Sequence, residues 1–330
     1  MVAIGYMLAS EEHSAPELAT NAQRAEEAGF TFALVSDHFH PWVHAQGESP
    51  FVWATLGAIA QTTETIAIGT GVTCPLIRTH PAIIAQAAAT TATLMPGRFF
   101  LGLGTGENLN EHITGEKWPP IQQRQEMLEE AIEVIRMLWQ GGRHSHEGAY
   151  YSVEDARLYS LPEEMPPILV GASGQKSAAL AGRAGDGLIS TAPNPETVQS
   201  FTGAGGNGPR IGLFHTCWAE SEEAGRDLLQ RQWPNSGLGG MLGQDLRLPR
   251  DFEAATEPLT AEEVSRHVPC GPDPAPYLEQ IRQFAEAGFD HVYIHNVGRE
   301  QEGFFRFFEA EVLPGLRADV EPARITPQAA

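Results

Sequence analysis

Short apolar runs alternate with helix-patterned stretches along this 330-residue chain, and that alternation restricts the fold more than any other feature. Runs at 2–8, 30–35, 66–72, 99–103, 167–171, 187–191, 210–218 and 291–295 read as strands. Stretches at 15–29, 51–62, 80–94, 124–139, 176–184 and 220–232 carry helical spacing, and a final pair of helices brackets the eighth strand. A strand that returns through a helix to its neighbour lies parallel to it, so repeated units build a helix-covered α/β sheet. Eight such units predict a single (β/α)8 TIM barrel over 1–330. A doubly wound sheet fits less well, because the units continue evenly with no halfway change of composition. Three segments break the rhythm: a β-like excursion at 143–153, read as a hairpin insertion; a Gly- and Pro-rich stretch at 234–258, read as an irregular insertion or lid; and a polar, loose tail at 315–330.

Charge narrows the partners. Asp and Glu number 42 against 21 Lys and Arg, for a formal charge of −21, which argues against nucleic acid and anionic membrane surfaces and favours a soluble protein. The three cysteines, Cys74, Cys217 and Cys270, have neither metal-like nor CxxC spacing and suit a reducing cytoplasm. No signal-peptide pattern and no apolar run long enough to span a bilayer is evident, so a cytoplasmic protein is expected.

The chemistry is sought at strand ends, where a barrel presents its active site. Ser36-Asp37-His38-Phe39-His40-Pro41-Trp42 follows the second strand and places an acid, two imidazoles and an indole together. His38 and His40 form an HxH pair, which a metal-dependent barrel hydrolase would use. Later strand ends, at Gly171-Ala172-Ser173 and Thr191, lack the further ligands such a site needs, so no metal is expected. Gly102-Leu103-Gly104-Thr105-Gly106-Glu107 lacks GxGxxG spacing and no helix is expected directly after it, which disfavours a Rossmann turn. Its glycines read instead as a close backbone approach to a bulky planar ligand. Ser173-Gly174-Gln175-Lys176-Ser177 opens a helix, where free amides and a lysine can hold an anion; an ordinary helix cap is the plainer reading of the same residues.

Together these motifs, with Gly69-Thr70-Gly71-Val72, Pro81-Ala-Ile-Ile-Ala-Gln86, Asn110 and Gly182-Arg-Ala-Gly-Asp-Gly187, resemble the coenzyme F420-dependent branch of the luciferase-like barrel oxidoreductases. The F420-dependent glucose-6-phosphate dehydrogenase group is the most similar, and the resemblance covers nearly the whole chain. It implies a homodimeric dehydrogenase or reductase that moves a hydride between C5 of a deazaflavin and a carbinol or carbonyl carbon. It further implies His38 as the base that takes the hydroxyl proton, Glu107 as the acid toward the cofactor ring, and Trp42 on the substrate side. Asp37, Cys74, Thr105, Gly106 and Asn110 would contact the ring and its ribityl chain. Ser173, Gly174, Lys176 and Ser177 would hold the cofactor phosphate, and Gly71-Val72 matches the position of a non-prolyl cis peptide. An imidazole, with an ordinary pKa of ~6.5, suits proton transfer near neutrality; Glu107 needs a dry site that raises its own.

Two departures stand out. Cys74 occupies a threonine position near the cofactor. In the sugar-phosphate clamp Thr191 remains, but Asn194 stands where a lysine is expected and His267 replaces an arginine, with Arg247, Arg250 and Arg266 as the nearby cations. A dianionic phosphate in so acidic a protein needs local cations, so a neutral sugar or secondary alcohol, or the corresponding carbonyl, is expected rather than glucose 6-phosphate. An FMN-dependent luciferase-like monooxygenase on the same barrel is the nearest alternative.

Overall fold

The structure, a computed structural model, describes residues 2–316 and 325. Eight parallel strands close into a barrel: β1 (Ala3–Leu8), β2 (Phe32–Val35), β3 (Ala67–Thr70), β4 (Phe99–Leu103), β7 (Ile168–Gly171), β8 (Gly187–Ser190), β9 (Arg210–Thr216) and β10 (His291–Asn296). β10 pairs with β1 through Ala3 to Tyr6 and His291 to Ile294, which closes the ring. The helices between strands include α1 (Ala15–Glu27), α2 (Val52–Thr62), α3 (Pro81–Leu94), α5 (Ile121–Trp139), α6 (Gln175–Ala184), α7 (Pro195–Gly203), α8 (Glu222–Gln232) and α12 (Pro274–Glu286).

The strands are buried on both faces, which is why they appear in the sequence as unbroken apolar runs. Alternate residues divide between two cores. Phe32, Leu34, Phe100, Leu169, Ile189, Ile211, Leu213 and Tyr293 fill the barrel interior. Residues such as Ile4, Leu8, Ala33, Ile68, Leu101 and Val170 face the helical ring. Large rings in the interior need small neighbours: a Cβ on Gly5 would lie 2.5 Å from the Phe32 ring, and one on Gly69 2.1 Å from the Phe100 ring.

The structure departs from the pattern read in the sequence at three places. A four-residue helix, α4 (Asn108–Glu111), starts directly after Glu107, where none is expected. The segment at 234–258 is not irregular throughout, since it holds α9 (Leu242–Asp245) and α10 (Pro249–Thr256). Helix α7 has the Asn194 side chain accepting from the Glu196 amide at its N-cap and Pro195 in its first turn, a start signal that the run of prolines around it obscures. The excursion after α5 is an antiparallel pair, β5 (His144–Glu147) with β6 (Ser152–Ala156). Of the expected loose tail at 315–330, all but 315, 316 and 325 lies outside the described residues; Ile325 is buried against the barrel-interior cluster.

Candidate active site

The C-terminal ends of the strands open into a cavity of about 680 Å³. The loop after β2 contributes Ser36, His38 and Trp42, and the loop after β4 contributes Gly104 to Glu107. Residues 171–177 span the turn into α6, and Thr191 follows β8. Gly71 and Val72, joined by a cis peptide bond, form part of the floor.

His38 is held on three sides. Its Nδ1 is 3.1 Å from the His40 carbonyl oxygen and 3.2 Å from the Asn110 side-chain nitrogen. Its Nε2 is 3.4 Å from Glu11 Oε1. The Asn110 carboxamide cannot flip, because its oxygen accepts the Phe39 and His40 amides at 2.9 and 3.2 Å. Nδ1 therefore sits between a donor and an acceptor and changes partner on protonation without moving the ring. The same Asn110 nitrogen lies 3.3 Å from Glu107 Oε2, so one amide touches both the imidazole and the carboxylate.

Glu11, which lines the cavity, accepts the Ser36 hydroxyl at 2.6 Å and the Trp42 indole N–H at 3.2 Å. Burial alone would raise its pKa, but the charge of His38, the Ser36 hydrogen bond, its own amide and His295 together hold it below the ordinary carboxylate value. A buried, ionised carboxylate thus stands beside the candidate base.

Asp37 has a different place from the one its motif suggests. Its carboxylate receives Arg78 at 2.8 Å and the Thr73 hydroxyl at 2.8 Å, beneath the cavity wall rather than in it. Arg78 also donates its amide to Glu111 at 2.8 Å, and burial lifts Glu111 to a pKa of about 7 against the pull of that residue. Cys74 is buried under the wall too: a Cβ on Gly106 would come 2.5 Å from its sulfur, and Gly106 has φ +69°, so that turn accepts only glycine easily. Gly102 does not approach a ligand; it packs on β3, where a Cβ would fall 1.9 Å from the Thr70 carbonyl oxygen. Glu107 is half-buried rather than enclosed in a dry site.

At the far end, Ser173, Gly174, Lys176 and Ser177 line the cavity at the start of α6. First-turn amides have no acceptor within their own helix, and a Cβ on Gly174 would meet no atom within 4 Å. Lys176 is the one Lys or Arg among the described residues lining the cavity.

The expected substrate residues separate. Trp42 and Thr191 line the cavity; Asn194 is the cap of α7, and His267 is exposed outside it, as are Arg247, Arg250 and Arg266. His40 turns away, with Nδ1 2.9 Å from the Leu109 carbonyl and its ring on His112. Among the described residues no group of three or more His, Cys, Asp and Glu could hold a metal. Sequence reasoning missed Glu11, Glu12, His215 and His295. The signal existed for the first two, since Ser10-Glu11-Glu12-His13 follows β1 as an ionisable cluster at a strand end.

A family model for luciferase-like monooxygenases matches residues 2–291. The chain belongs to that family. An F420-dependent glucose-6-phosphate dehydrogenase of Nocardia farcinica is 36% identical, covering 96% of this chain and 98% of that one. The corresponding protein of Microbacterium testaceum is 35% identical over 95% and 97%. Among solved structures, an F420-dependent secondary alcohol dehydrogenase in complex with an F420-acetone adduct superposes with a TM-score of 0.88 at 31% identity, covering 96% of this chain and all of that one. This member of the luciferase-like family therefore carries its cavity in the same barrel as deazaflavin enzymes that act on alcohols and on a sugar phosphate.

Proposed function

We propose that this chain is a coenzyme F420-dependent oxidoreductase that interconverts a neutral secondary alcohol or sugar and its carbonyl compound. The observation that carries the reading is the Glu11–His38 pair on the cavity wall, with Nδ1 of the ring beside a backbone carbonyl. With its proton on Nδ1 and donated to His40, the ring keeps a lone pair on Nε2. That nitrogen accepts the substrate hydroxyl proton, and the Glu11 carboxylate stabilises the imidazolium formed. In the carbonyl direction the same nitrogen returns the proton.

When bound, the deazaflavin supplies the hydride acceptor or donor. Residues 104–106, Gly71 and Val72 would flank the planar ring, and the start of α6, open at Gly174, would hold its phosphate with Lys176. Glu107, half-buried and held by Asn110, would exchange a proton with the ring once the bound ring itself covers the carboxylate. With Lys176 engaged at that end, no Lys or Arg among the described lining residues is left for a substrate phosphate, which favours a neutral substrate over glucose 6-phosphate. A cytoplasmic homodimer belongs to the same reading, and light scattering on the eluting protein tests the dimer.

The deciding experiment titrates the protein with F420 and with FMN, then screens secondary alcohols, sugars and sugar phosphates at the deazaflavin's visible absorbance. Reduction of F420 by neutral alcohols supports the proposal. Tight FMN binding with oxygen-dependent turnover, or preference for a sugar phosphate, would overturn it.

A further inference from the structure

A second polar chain enters the cavity on the side of β9 and β10, and the assignments above do not use it. His215 lines the cavity, and its Nδ1 is 2.9 Å from Nδ1 of His295. Nε2 of His295 is 3.0 Å from Glu12 Oε2, and Glu12 Oε1 accepts the Gly298 amide at 3.0 Å. Glu12 and His295 are fully buried, and Trp233 covers both rings, its centroid 4.3 Å from that of His295 and 5.7 Å from that of His215.

Each link holds one proton. Two lone pairs, or two N–H groups, facing each other at 2.9 Å would repel, so one proton lies between the imidazoles. The rings stay neutral: burial holds His215 and His295 down at about 3 and about 4. Only two arrangements remain. With Glu12 ionised, His295 donates from Nε2 to the carboxylate, His215 donates from Nδ1 to His295, and His215 Nε2 offers a lone pair to the cavity. With Glu12 protonated, every link reverses and His215 Nε2–H becomes a donor. A proton arriving at Nε2 moves the Nδ1 proton of His215 to His295 and the Nε2 proton of His295 to Glu12, so one proton enters and one is stored.

We propose that Glu12, His295 and His215 form a buried proton relay, with His215 donating to the substrate oxygen in one state and offering a lone pair to the cavity in the other. Glu12 and His295 act as positioning residues through His215. The contact with substrate rests on the alcohol–carbonyl reading above; the relay itself does not. The groups around Glu12 are His13 and Glu11 beside it, Tyr6 from β1, Cys217 beyond β9, His295, and Arg299 after β10. Burial is the largest influence on Glu12 and lifts its pKa to about 8, against His13, the Gly298 amide and Arg299. The switch therefore falls in an accessible range.

Long-range proton–nitrogen correlation spectra of histidine-labelled full-length protein read the tautomer without cofactor or turnover. Below the Glu12 pKa the proton of His215 is expected on Nε2, and above it on Nδ1. In Glu12→Gln the Gly298 amide keeps the carboxamide oxygen, the NH2 faces His295, and the Nε2–H form should persist at every pH. In kinetics, the alcohol hydroxyl gives its one hydrogen to His38, so its oxygen, like the ketone oxygen, can only accept from His215; both KM values should fall as Glu12 takes up its proton, each by roughly threefold to tenfold, the range for one neutral hydrogen bond. Glu12→Gln should hold both KM values at their low-pH levels, and His215→Asn should abolish this pH dependence. A His215 tautomer that ignores both pH and Glu12→Gln overturns the relay; a normal switch with no accompanying change in KM overturns the substrate contact while leaving the deazaflavin assignment to its own titration.

Discussion

Replacing Glu11 by glutamine probes the candidate base most directly. The substitution keeps the shape and one oxygen, which in the Oε1 position still takes the Trp42 indole while the NH2 turns to Ser36, but removes the charge 3.4 Å from His38 Nε2. At that separation an effective dielectric of about 20 gives a carboxylate–imidazolium attraction of roughly 5 kcal/mol. The amide restores about 1–2 kcal/mol as a neutral hydrogen bond, leaving a deficit of roughly 3 kcal/mol that applies when the ring is protonated. The expected loss is therefore roughly 100-fold in kcat/KM for alcohol oxidation. Deazaflavin affinity, measured by fluorescence titration, should stay at the wild-type value. The assay is steady-state F420 reduction as a function of pH, with alcohol concentration varied. A variant within about twofold of wild type across that range would refute the role given to Glu11.

Three further expectations follow from the same geometry. Lys176→Met should weaken deazaflavin binding by roughly tenfold or more, as for a lost charge-assisted contact; the deficit should shrink as salt is added, and equal affinities at low salt would exclude the phosphate assignment. Gly102→Ala drives a Cβ into the Thr70 carbonyl oxygen, a backbone atom that cannot swing aside, so a loss of roughly 3 kcal/mol is expected as a lower melting temperature, and an unshifted melt would contradict the packing. Glu12 binds its proton more tightly in the folded protein, at about 8 against the ordinary 4.5, so its contribution to stability falls as pH rises between those values. The melting temperature of Glu12→Gln relative to wild type should accordingly climb through that window and level off above it; a difference independent of pH would refute the assignment.

The barrel was legible because its strands are buried on both faces and each is followed by a helix, so pattern and fold carry the same information. His38, Trp42, Thr105 and Lys176 were legible for a related reason: a strand's C-terminal end in this fold is the cavity rim. Asp37 was misplaced because its partners, Arg78 and Thr73, come from the loop after β3, and sequence spacing does not report an ion pair formed across 41 positions. Asn194 obeys a local rule instead, as a helix cap ahead of Pro195. The Glu12–His295–His215 chain needs β1, β9 and β10 to be neighbours, which only closure of the barrel brings about.

The Asn110 amide has a consequence for how such a site can change. It touches His38 in the loop after β2 and Glu107 in the loop after β4, so the two groups proposed to exchange protons share one hinge pin. A substitution that shifts α4 moves both together, and double variants of His38 and Glu107 with Asn110 should show strongly non-additive losses. In the proposed function the proton-handling pair would therefore change as a unit.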